Sequence, residues 1–445
     1  MKTLIKNAEI VNENKRFKGH VLIQNQYVED VFTRLPKNLQ ADEIIDAEGL
    51  ILIPGMIDDQ VHFREPGLTH KAEIETESRA AVAGGITSYM EMPNTSPPAL
   101  TNDLLEEKYA RAARVSAANY SFYLGAGIDN AAELKKMDTA NICGVKIFMG
   151  SSTGDLAVRD EDVLQKVFSS AKTIIASHCE EDPVIEKKAE EYKKRFGEDI
   201  PIHHHPDIRS REACYISSEK AIHFANENNA RLHILHISTA EETDLFTNKI
   251  PLKEKQITAE ACVHHLWFSR EDYDKKGTHI KWNPAVKERS DADAILAAIN
   301  DDRIDIIATD HAPHTLEEKD NTYFKAPSGG PLVQHALQVL FELNRRGKIT
   351  LEKIVEKTAH NPAVLFDIEK RGYIKKGYFA DLVLINPNKP QTVTKENLLY
   401  KCGWSPFEGT TFSTSVERTF VNGLQVWNNG TLNIQQSGMR LTFKR

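Results

Sequence analysis

The chain has 445 residues, of which 40% are apolar and 27% are charged, and its net charge is −8. This composition can bury a large core, which excludes disordered, collagen-like and low-complexity chains. An acidic balance without a block of Lys and Arg argues against a nucleic-acid partner. Five unevenly spaced cysteines, no signal-peptide pattern and no apolar run of about 20 residues argue against secretion and a membrane span. We therefore expect a soluble, cytoplasmic globular protein.

The two ends of the chain share one pattern. Residues 1–53 and 376–445 contain short runs rich in Val and Ile, broken by Asn, Gly and Asp, with Asn-Gly turn signals near the C-terminus. This pattern predicts that both ends form one small β-sandwich domain around a long central insertion.

The central residues, 54–375, alternate between apolar runs and helical patterns at intervals of mostly about 25–35 residues, the length of a βα unit. The helical patterns are bounded by recognisable signals, such as Asn102 as a helix cap. Eight buried strands alternating with helices predict an α/β fold, a (β/α)8 TIM-type barrel. The eight runs are 57–63, 86–93, 120–126, 144–149, 173–180, 231–238, 257–265 and 305–311.

Polar residues follow or end most of these runs, and in a barrel the carboxyl ends of the strands meet at one mouth. A single His or Asp there is usually a hydrogen-bonded core or loop residue, and a lone Lys is usually salt-bridged. Their recurrence on at least five strands instead predicts a site for a zinc-class metal ion. They are His62, Arg64, Asn94, Lys146, His178, His236, His264, His265, Asp310, His311 and His314.

At this point the residues carry a family resemblance. The segments IPGMIDDQVHFREPG, GVKIFMGSSTGD, IIASHCEE, LHILHIST, ATDHAPH and GYIKKGYFADLVLI resemble those of the cyclic amidohydrolases, most closely the class I dihydroorotases. The similarity follows the expected order along essentially the whole chain. It implies the reversible cyclisation of N-carbamoyl-L-aspartate to L-dihydroorotate, a step of pyrimidine biosynthesis.

The resemblance also implies a metal centre of one or two zinc ions. Lys146 would be carboxylated and bridge the ions, and His178 and His236 would hold the second ion. His62 and Asp310 would bind the first, and Asp310 would also be the catalytic residue that moves the proton.

The resemblance further implies how a substrate would be held. Arg64, Asn94 and His314 would bind its carboxylate, for which the planar Arg fork is suited. Asn283, Gly329 and Gly330 would contact its ring, largely through the backbone. Taken alone, Arg64 could instead pair with Glu65, and Asn94, Asn283 and the two glycines could be ordinary turn residues.

One residue departs from the family pattern. Gln60 stands where the first His of the usual His-X-His is expected, and an amide oxygen is a weaker zinc ligand than imidazole. The nearest alternative is an allantoinase- or hydantoinase-type enzyme, from which the carboxylate-binding residues distinguish a dihydroorotase. Gln60 also leaves open a catalytically weak homologue that serves as a structural partner, for instance of aspartate transcarbamoylase. We expect a homo-oligomer, with a dimer as the first candidate.

Some residues stay without an assigned role. The tract 203–205 is three consecutive histidines, which suit either metal binding or a lid or surface segment. His264 and His265 could line the pocket without binding metal. Cys179 and Cys262 lie near the predicted mouth, but neither has a nucleophile's surroundings in the sequence.

Overall fold

The computed structural model describes residues 1–150, 156–433 and 438–445. The end of the segment GVKIFMGSSTGD, residues 151–155, therefore lies outside the described residues. The β-strands are β1 (Lys2–Asn12), β2 (Lys15–Gln24), β3 (Tyr27–Phe32), β4 (Glu43–Asp46), β5 (Ile51–Pro54), β6 (Met56–Val61), β7 (Ile86–Glu91), β8 (Asn119–Phe122), β9 (Leu124–Gly125), β10 (Val145–Met149), β11 (Ile175–Cys179), β12 (Leu232–Ile234), β13 (Ile257–Cys262), β14 (Ile306–Ala308), β15 (Leu382–Asn386), β16 (Gln391–Thr392), β17 (Thr411–Phe412), β18 (Ser415–Val421), β19 (Leu424–Asn428) and β20 (Thr431–Leu432). The α-helices are α1 (Ile74–Ala83), α2 (Asn102–Val115), α3 (Ala131–Lys136), α4 (Glu161–Ser170), α5 (Asp182–Phe196), α6 (His205–Ile208), α7 (Arg211–Glu227), α8 (Val263–Trp267), α9 (Tyr273–Lys276), α10 (Arg289–Asn300), α11 (Leu316–Lys319), α12 (Ala336–Arg345), α13 (Leu351–Val355) and α14 (Asn361–Leu365).

The middle of the chain is a closed parallel barrel. β6, β7 and β8 form one parallel sheet, and β9 to β14 form another. Tyr123 alone separates β8 from β9, so these two short strands fill one barrel position. The ring closes between β14 and β6, where His62 N donates to His311 O over 2.7 Å. Each of the eight predicted runs contains a barrel strand, which confirms the (β/α)8 prediction.

The strands are shorter than their apolar runs, because the chain turns away at the mouth. β12 ends at Ile234 and β14 at Ala308, before the polar residues His236 and Asp310. Those two residues have φ of +41° and +51°, and Arg64, beyond β6, has φ of +67°. A left-handed backbone is uncommon for residues other than glycine. These three turns end the regular pairing and redirect the side chains.

Both chain ends contribute to one further sheet. Nine strands from residues 2–54 and 382–432 are hydrogen-bonded in the order β20-β19-β18-β15-β5-β1-β2-β3, with β4 beside β1. This β-rich domain has a hydrophobic cluster of its own, to which Ile5, Ile23, Leu52 and Leu384 belong. Its pairing of β5 with β15 brings the two ends together, as their shared pattern predicts.

Residues 438–445 differ from the prediction that placed them in the β domain. Leu441 and Phe443 are buried in a cluster with the barrel residues Ile57 and Met90. The Arg445 guanidinium donates to the backbone carbonyls of Cys143 and other residues next to the barrel. Burying these two apolar side chains against the barrel is favourable because it removes apolar surface from water. The domain boundaries at 53/54 and 375/376 themselves stay predictions.

Helix α2 begins at the residue predicted to cap it, and the observed cap lies one residue earlier. Thr101 is the capping residue, and its Oγ1 accepts from Leu104 N over 3.3 Å. Asn102 is the first helical residue, and its side-chain amide instead donates to Glu133. Either residue type can cap a helix, so the sequence alone could not choose between neighbours.

Among the described residues, none of the helices combines the length and the apolar character that crossing a bilayer requires.

Phe443 anchors the C-terminal residues to the barrel, so we expect Phe443→Ala to lower the free energy of unfolding by about 3–5 kcal/mol. Urea unfolding followed by fluorescence measures this loss. The matched control is Phe324→Ala, because Phe324 is 43% exposed whereas Phe443 is 4% exposed. Equal effects of the two substitutions would contradict the packing role of Phe443.

Candidate metal centre and substrate pocket

The carboxyl ends of the barrel strands surround a pocket. Residues from separate strands and from the loops that follow them line its wall, so the fold brings together polar groups that are distant in sequence. The resemblance assigns metal-binding, catalytic or substrate-binding roles to eleven residues. Nine of these eleven line the pocket: His62, Arg64, Asn94, Lys146, His178, His236, Asn283, Asp310 and Gly329. His314 reaches Arg64, which lines the pocket, and Gly330 lies behind Trp282.

His178 and His236 face each other at the pocket floor. His178 Nδ1 lies 3.0 Å from His236 Nε2, and both side chains are buried. On its other side, His178 Nε2 lies 3.1 Å from Glu180 Oε2, and Arg209 also binds this carboxylate. The carboxylate favours the proton on Nε2, which leaves the Nδ1 lone pair directed at His236. A carboxylate behind a histidine is the usual support of a metal ligand.

The environment of Glu180 keeps it charged. Burial alone would raise the pKa of its carboxyl, but Arg209 and His178 together lower that pKa to about 2. The pKa of His236 lies well below its usual value, first because the ring is buried and then because His178 and Lys146 are nearby. The His236 ring is therefore held ready to act as a neutral ligand at pH 7.

Lys146 is buried without an ionic partner. Its side chain is 1% exposed, and no carboxylate of the described residues lies within ion-pair distance of Nζ. The ammonium position is 4.5 Å from the centre of the Phe148 ring. Burial lowers the pKa of the amine to about 7, against a smaller opposing effect of Cys179. The salt-bridged lysine that the sequence left open is therefore not formed with the described residues.

His62 and Asp310 form the opposite side of the floor. His62 Nδ1 lies 2.7 Å from Asn94 Oδ1, so Nδ1 carries the proton. The Nε2 lone pair then faces Asp310 Oδ1 over 3.2 Å. Burial lowers the pKa of His62 despite Asp310, so the ring is not readily protonated. A lone pair that faces a carboxylate is unfavourable unless a cation lies between them.

Gln60 does not offer a free ligand atom in this arrangement. Its Nε2 donates to Asp310 Oδ1 over 3.2 Å, and its Oε1 accepts from Cys262 Sγ over 3.5 Å. Turning the amide round would place its oxygen against the Asp310 carboxylate. The amide therefore acts as a hydrogen-bond donor to Asp310, where an imidazole could have bound a metal ion.

Arg64 and His314 form a group of donors at the pocket wall. Lys71 Nζ lies 3.0 Å from His314 Nδ1 and must donate to it, so Nε2 carries the ring proton and donates to Ser328 O over 3.0 Å. Arg64 Nη2 lies 3.1 Å from that same Nε2. Two N–H groups thus face each other, an arrangement that an anion would relieve.

Arg64 itself is 3% exposed, and no ion pair joins it to a carboxylate of the described residues. Its Nε donates to Pro313 O, and Glu65, its proposed alternative partner, binds Arg111 instead. Burial lowers the pKa of Arg64 to about 10, although Asp310 opposes this effect. The guanidinium is still charged at pH 7.

Asn283, Gly329 and Gly330, which are predicted to bind the substrate ring, already take part in hydrogen bonds within the protein. Asn283 Oδ1 accepts from Ser328 Oγ over 2.9 Å at the pocket edge. Gly329 has φ of +125°, and a Cβ there would meet Ala312 O at 2.4 Å. Gly329 N already donates to Lys281 O, and Gly330 O accepts from Ala312 N. Backbone contacts to a ligand are therefore limited to the atoms that these hydrogen bonds leave available.

The donor set at the floor fits a zinc-class metal ion. Lys146 Nζ and His236 Nδ1 are buried without a hydrogen-bond partner among the described residues. Facing histidine nitrogens and carboxylates are the ligands that such ions prefer. His178, His236 and Lys146 could hold one ion, and His62, Asp310 and Lys146 could hold another more weakly, since Gln60 adds no ligand.

The histidines to which the sequence analysis assigned no role contact neighbouring protein groups. In the tract 203–205, His204 binds Asp207, and His205 contacts Tyr323 Oη and Trp282 O. His264 stacks on Trp282 with ring centres 4.5 Å apart. These contacts favour the lid or support role over metal binding. Burial raises the pKa of the Cys179 thiol to about 12, which does not suit a nucleophile.

Two features escaped the sequence analysis. Glu180 directly follows the segment IIASHC, and its position two residues after His178 is the signal that could have shown it. The other is a cluster of Asp59, His233 and Glu260 inside the barrel, each 0% exposed. Burial alone would lower the pKa of His233, but Asp59 and Glu260 outweigh this effect and raise that pKa to about 9. Burial and Asp59 raise the pKa of Glu260 to about 8.

Comparison with known proteins agrees with the fold. The amidohydrolase family profile matches residues 51–426. A dihydroorotase of Halobacterium salinarum is 33% identical over 416 residues, which cover 93% of this chain and 94% of the relative. An allantoinase of Bacillus velezensis is 29% identical over 449 residues, 99% of this chain and 96% of the relative. The solved L-hydantoinase of Arthrobacter aurescens has a TM-score of 0.92 at 24% identity, covering 99% of both chains. The chain therefore belongs to the amidohydrolase family, within its cyclic amidohydrolase branch.

The Gln60 arrangement generates a prediction about metal content. Gln60→His replaces a hydrogen-bond donor by an imidazole beside His62 and Asp310, so we expect the protein to gain up to one zinc ion per chain. Mass spectrometry of the dialysed protein measures the ratio of zinc to chain. Gln60→Asn is the control, since it keeps an amide and adds no ligand. No gain of metal in Gln60→His would contradict this account of the weak position.

Proposed function

We propose that this amidohydrolase is a dihydroorotase, which interconverts N-carbamoyl-L-aspartate and L-dihydroorotate in pyrimidine biosynthesis. The observation that carries the proposal is the buried guanidinium of Arg64, which has no carboxylate partner among the described residues and faces the His314 N–H over 3.1 Å. A buried charge without a partner is strongly unfavourable. Dihydroorotate has a ring carboxylate that would pair with it.

The relatives support this choice over its competitors. Dihydroorotases of several organisms match the chain at 30–33% identity. Allantoin and simple hydantoins have no carboxylate in the corresponding position, so they would leave Arg64 unpaired. The likeness to an allantoinase and to hydantoinases supports the general reaction, hydrolysis of a cyclic amide.

In our proposal, one zinc ion binds firmly to His178, His236 and a carboxylated Lys146, and another binds less firmly beside His62 and Asp310. Lys146 suits carboxylation because its amine, with a pKa of about 7, is partly neutral and can react with CO2. The carbamate would place a negative charge where His178 and His236 converge. The bound ions would supply a Lewis acid and a source of hydroxide at neutral pH.

Asp310 would move the proton. In the hydrolytic direction, hydroxide adds to the ring carbonyl carbon and the C–N bond breaks. Asp310 takes the hydroxide proton and gives it to the departing ring nitrogen. Gln60 Nε2 donates to Oδ1 over 3.2 Å, which orients the carboxylate and leaves Oδ2 for the proton. In the biosynthetic direction the same steps run in reverse, and water is lost.

Arg64, Asn94 and His314 would hold the substrate carboxylate, and Asn283 with the backbone at 329–330 would hold the ring. Asn94 also fixes His62 through its Oδ1, so it connects substrate binding with the metal ligands. Trp282 and Phe148, which also line the pocket, would exclude water from the flat faces of the ring. We further propose that the enzyme is a homo-oligomer.

Lys146→Ala removes the anchor of the metal centre, so we expect it to lose the metal at the pocket floor and nearly all turnover. Acetate or propionate should restore part of both, because a small carboxylate can enter the space left by the side chain. Zinc content and the rate of dihydroorotate hydrolysis measure these effects.

The control for Lys146→Ala is Lys255→Met, which removes another buried lysine, one paired with Asp305. That control should lose stability but keep its zinc. A crystal structure in which Lys146 is a free amine while zinc is fully bound would refute the carboxylation.

Arg64→Met tests the specificity. Loss of a buried charged hydrogen bond should lower kcat/KM for dihydroorotate by the equivalent of about 2–4 kcal/mol while zinc stays bound. Steady-state assays with dihydroorotate and with an uncharged cyclic imide measure the selectivity. The matched control is Arg111→Met, whose guanidinium binds Glu65 outside the pocket. An equal loss on the uncharged ring, or faster turnover of allantoin than of dihydroorotate by the unmodified enzyme, would refute the assignment.

A further inference from the structure

The cluster of Asp59, His233 and Glu260 lies in the barrel interior, beneath the pocket floor. The three residues belong to β6, β12 and β13, and their side chains are 0% exposed. His233 Nε2 lies 3.2 Å from Asp59 Oδ2 and 3.5 Å from Glu260 Oε2. One potential ligand atom from each residue lies within 4.8 Å of the other two.

The hydrogen bonds of His233 fix which nitrogen faces the carboxylates. Thr258 Oγ1 donates to Leu232 O over 3.2 Å, so it can only accept from His233 Nδ1, at 2.9 Å. Nδ1 therefore carries a proton, and in the neutral ring the lone pair is on Nε2. A histidine that donates from one nitrogen and faces acidic side chains with the other has the arrangement of a supported metal ligand.

The carboxylates lack other partners. Apart from the His233 ring, no donor of the described residues reaches either oxygen of Asp59 or Oε2 of Glu260. Glu260 Oε1 is engaged, because it accepts from His236 N over 3.1 Å. Buried carboxylates without donors are strongly unfavourable, so a positive charge is needed between these three side chains.

A proton on His233 Nε2 is a poor source of this positive charge. A charge-assisted N–H···O bond is about 2.7–2.9 Å long, shorter than both observed separations, and one N–H cannot point at two carboxylates. Ligand atoms bound at about 2.1 Å to one tetrahedral ion are about 3.4 Å apart, close to the separations of 3.2 and 3.5 Å. A divalent ion would balance both carboxylates.

We propose that Asp59, His233 and Glu260 bind an additional divalent transition-metal ion of the zinc class inside the barrel. This interior site is separate from the ligand set of His62, Lys146, His178, His236 and Asp310, and it does not depend on the proposed function. Its ion would hold Glu260 in place, and Glu260 in turn holds the backbone of His236. The interior ion would therefore support the left-handed turn that aims His236 into the pocket.

Diffraction from the intact protein, equilibrated with zinc and measured on both sides of the zinc absorption edge, tests the interior site directly. We expect an anomalous peak about 2.0–2.2 Å from Asp59 Oδ2, His233 Nε2 and Glu260 Oε2. The same peak should remain in Lys146→Ala, which loses only the metal at the pocket floor. Absence of a peak between these three atoms in zinc-equilibrated crystals would overturn the proposal.

Metal analysis in solution gives a second test. Asp59→Asn keeps the side-chain volume and should lower the zinc content by one ion per chain relative to the unmodified protein. Asp58→Asn is the matched control, because Asp58 is equally buried on the same strand but is hydrogen-bonded to Thr309. Equal zinc contents in the two variants would overturn the proposal. If Asp59→Asn does not fold, the diffraction experiment on the unmodified protein decides.

Discussion

The barrel buries ionisable groups without pairing each one with a group of opposite charge. Lys146, Arg64 and Asp59 are all nearly inaccessible to water, and none has a full set of partners among the described residues. Because such burial is costly, each of these groups needs a partner that the described residues do not supply. In our proposals, metal binding, lysine carboxylation and recognition of an anionic substrate would each supply one of these partners.

Gln60 changes how that constraint is met at one position. Its amide donates to Asp310 and so supplies part of the positive partner that an ion beside His62 and Asp310 would supply. In the proposed mechanism, a weakly held ion at this position still leaves Asp310 available to move the proton. The presence of Gln60 in place of the usual histidine therefore does not by itself imply a catalytically weak homologue.

The sequence predicted the barrel because its signals are local and repeated: eight apolar runs, mostly about 25–35 residues apart, that alternate with helical patterns. It also predicted which strand ends face the pocket, since a parallel barrel places them at one mouth. It could not predict which atom of Gln60 faces Asp310, because that depends on Cys262, 202 residues away. The same holds for the interior cluster, because barrel closure is what brings Asp59 on β6 to His233 and Glu260 on the paired strands β12 and β13. It also holds for residues 438–445, whose packing against the barrel leaves no periodic signal.

The left-handed turns at Arg64, His236 and Asp310 have a consequence for the evolution of the protein. Each costs about 1–3 kcal/mol relative to a relaxed backbone, and glycine at any of these positions would relieve the strain. Substitutions that make the fold more heat-resistant are therefore expected at three residues to which we assign roles in the proposed function. Selection for thermal stability alone would favour glycine at these positions, at the expense of the proposed metal and substrate binding.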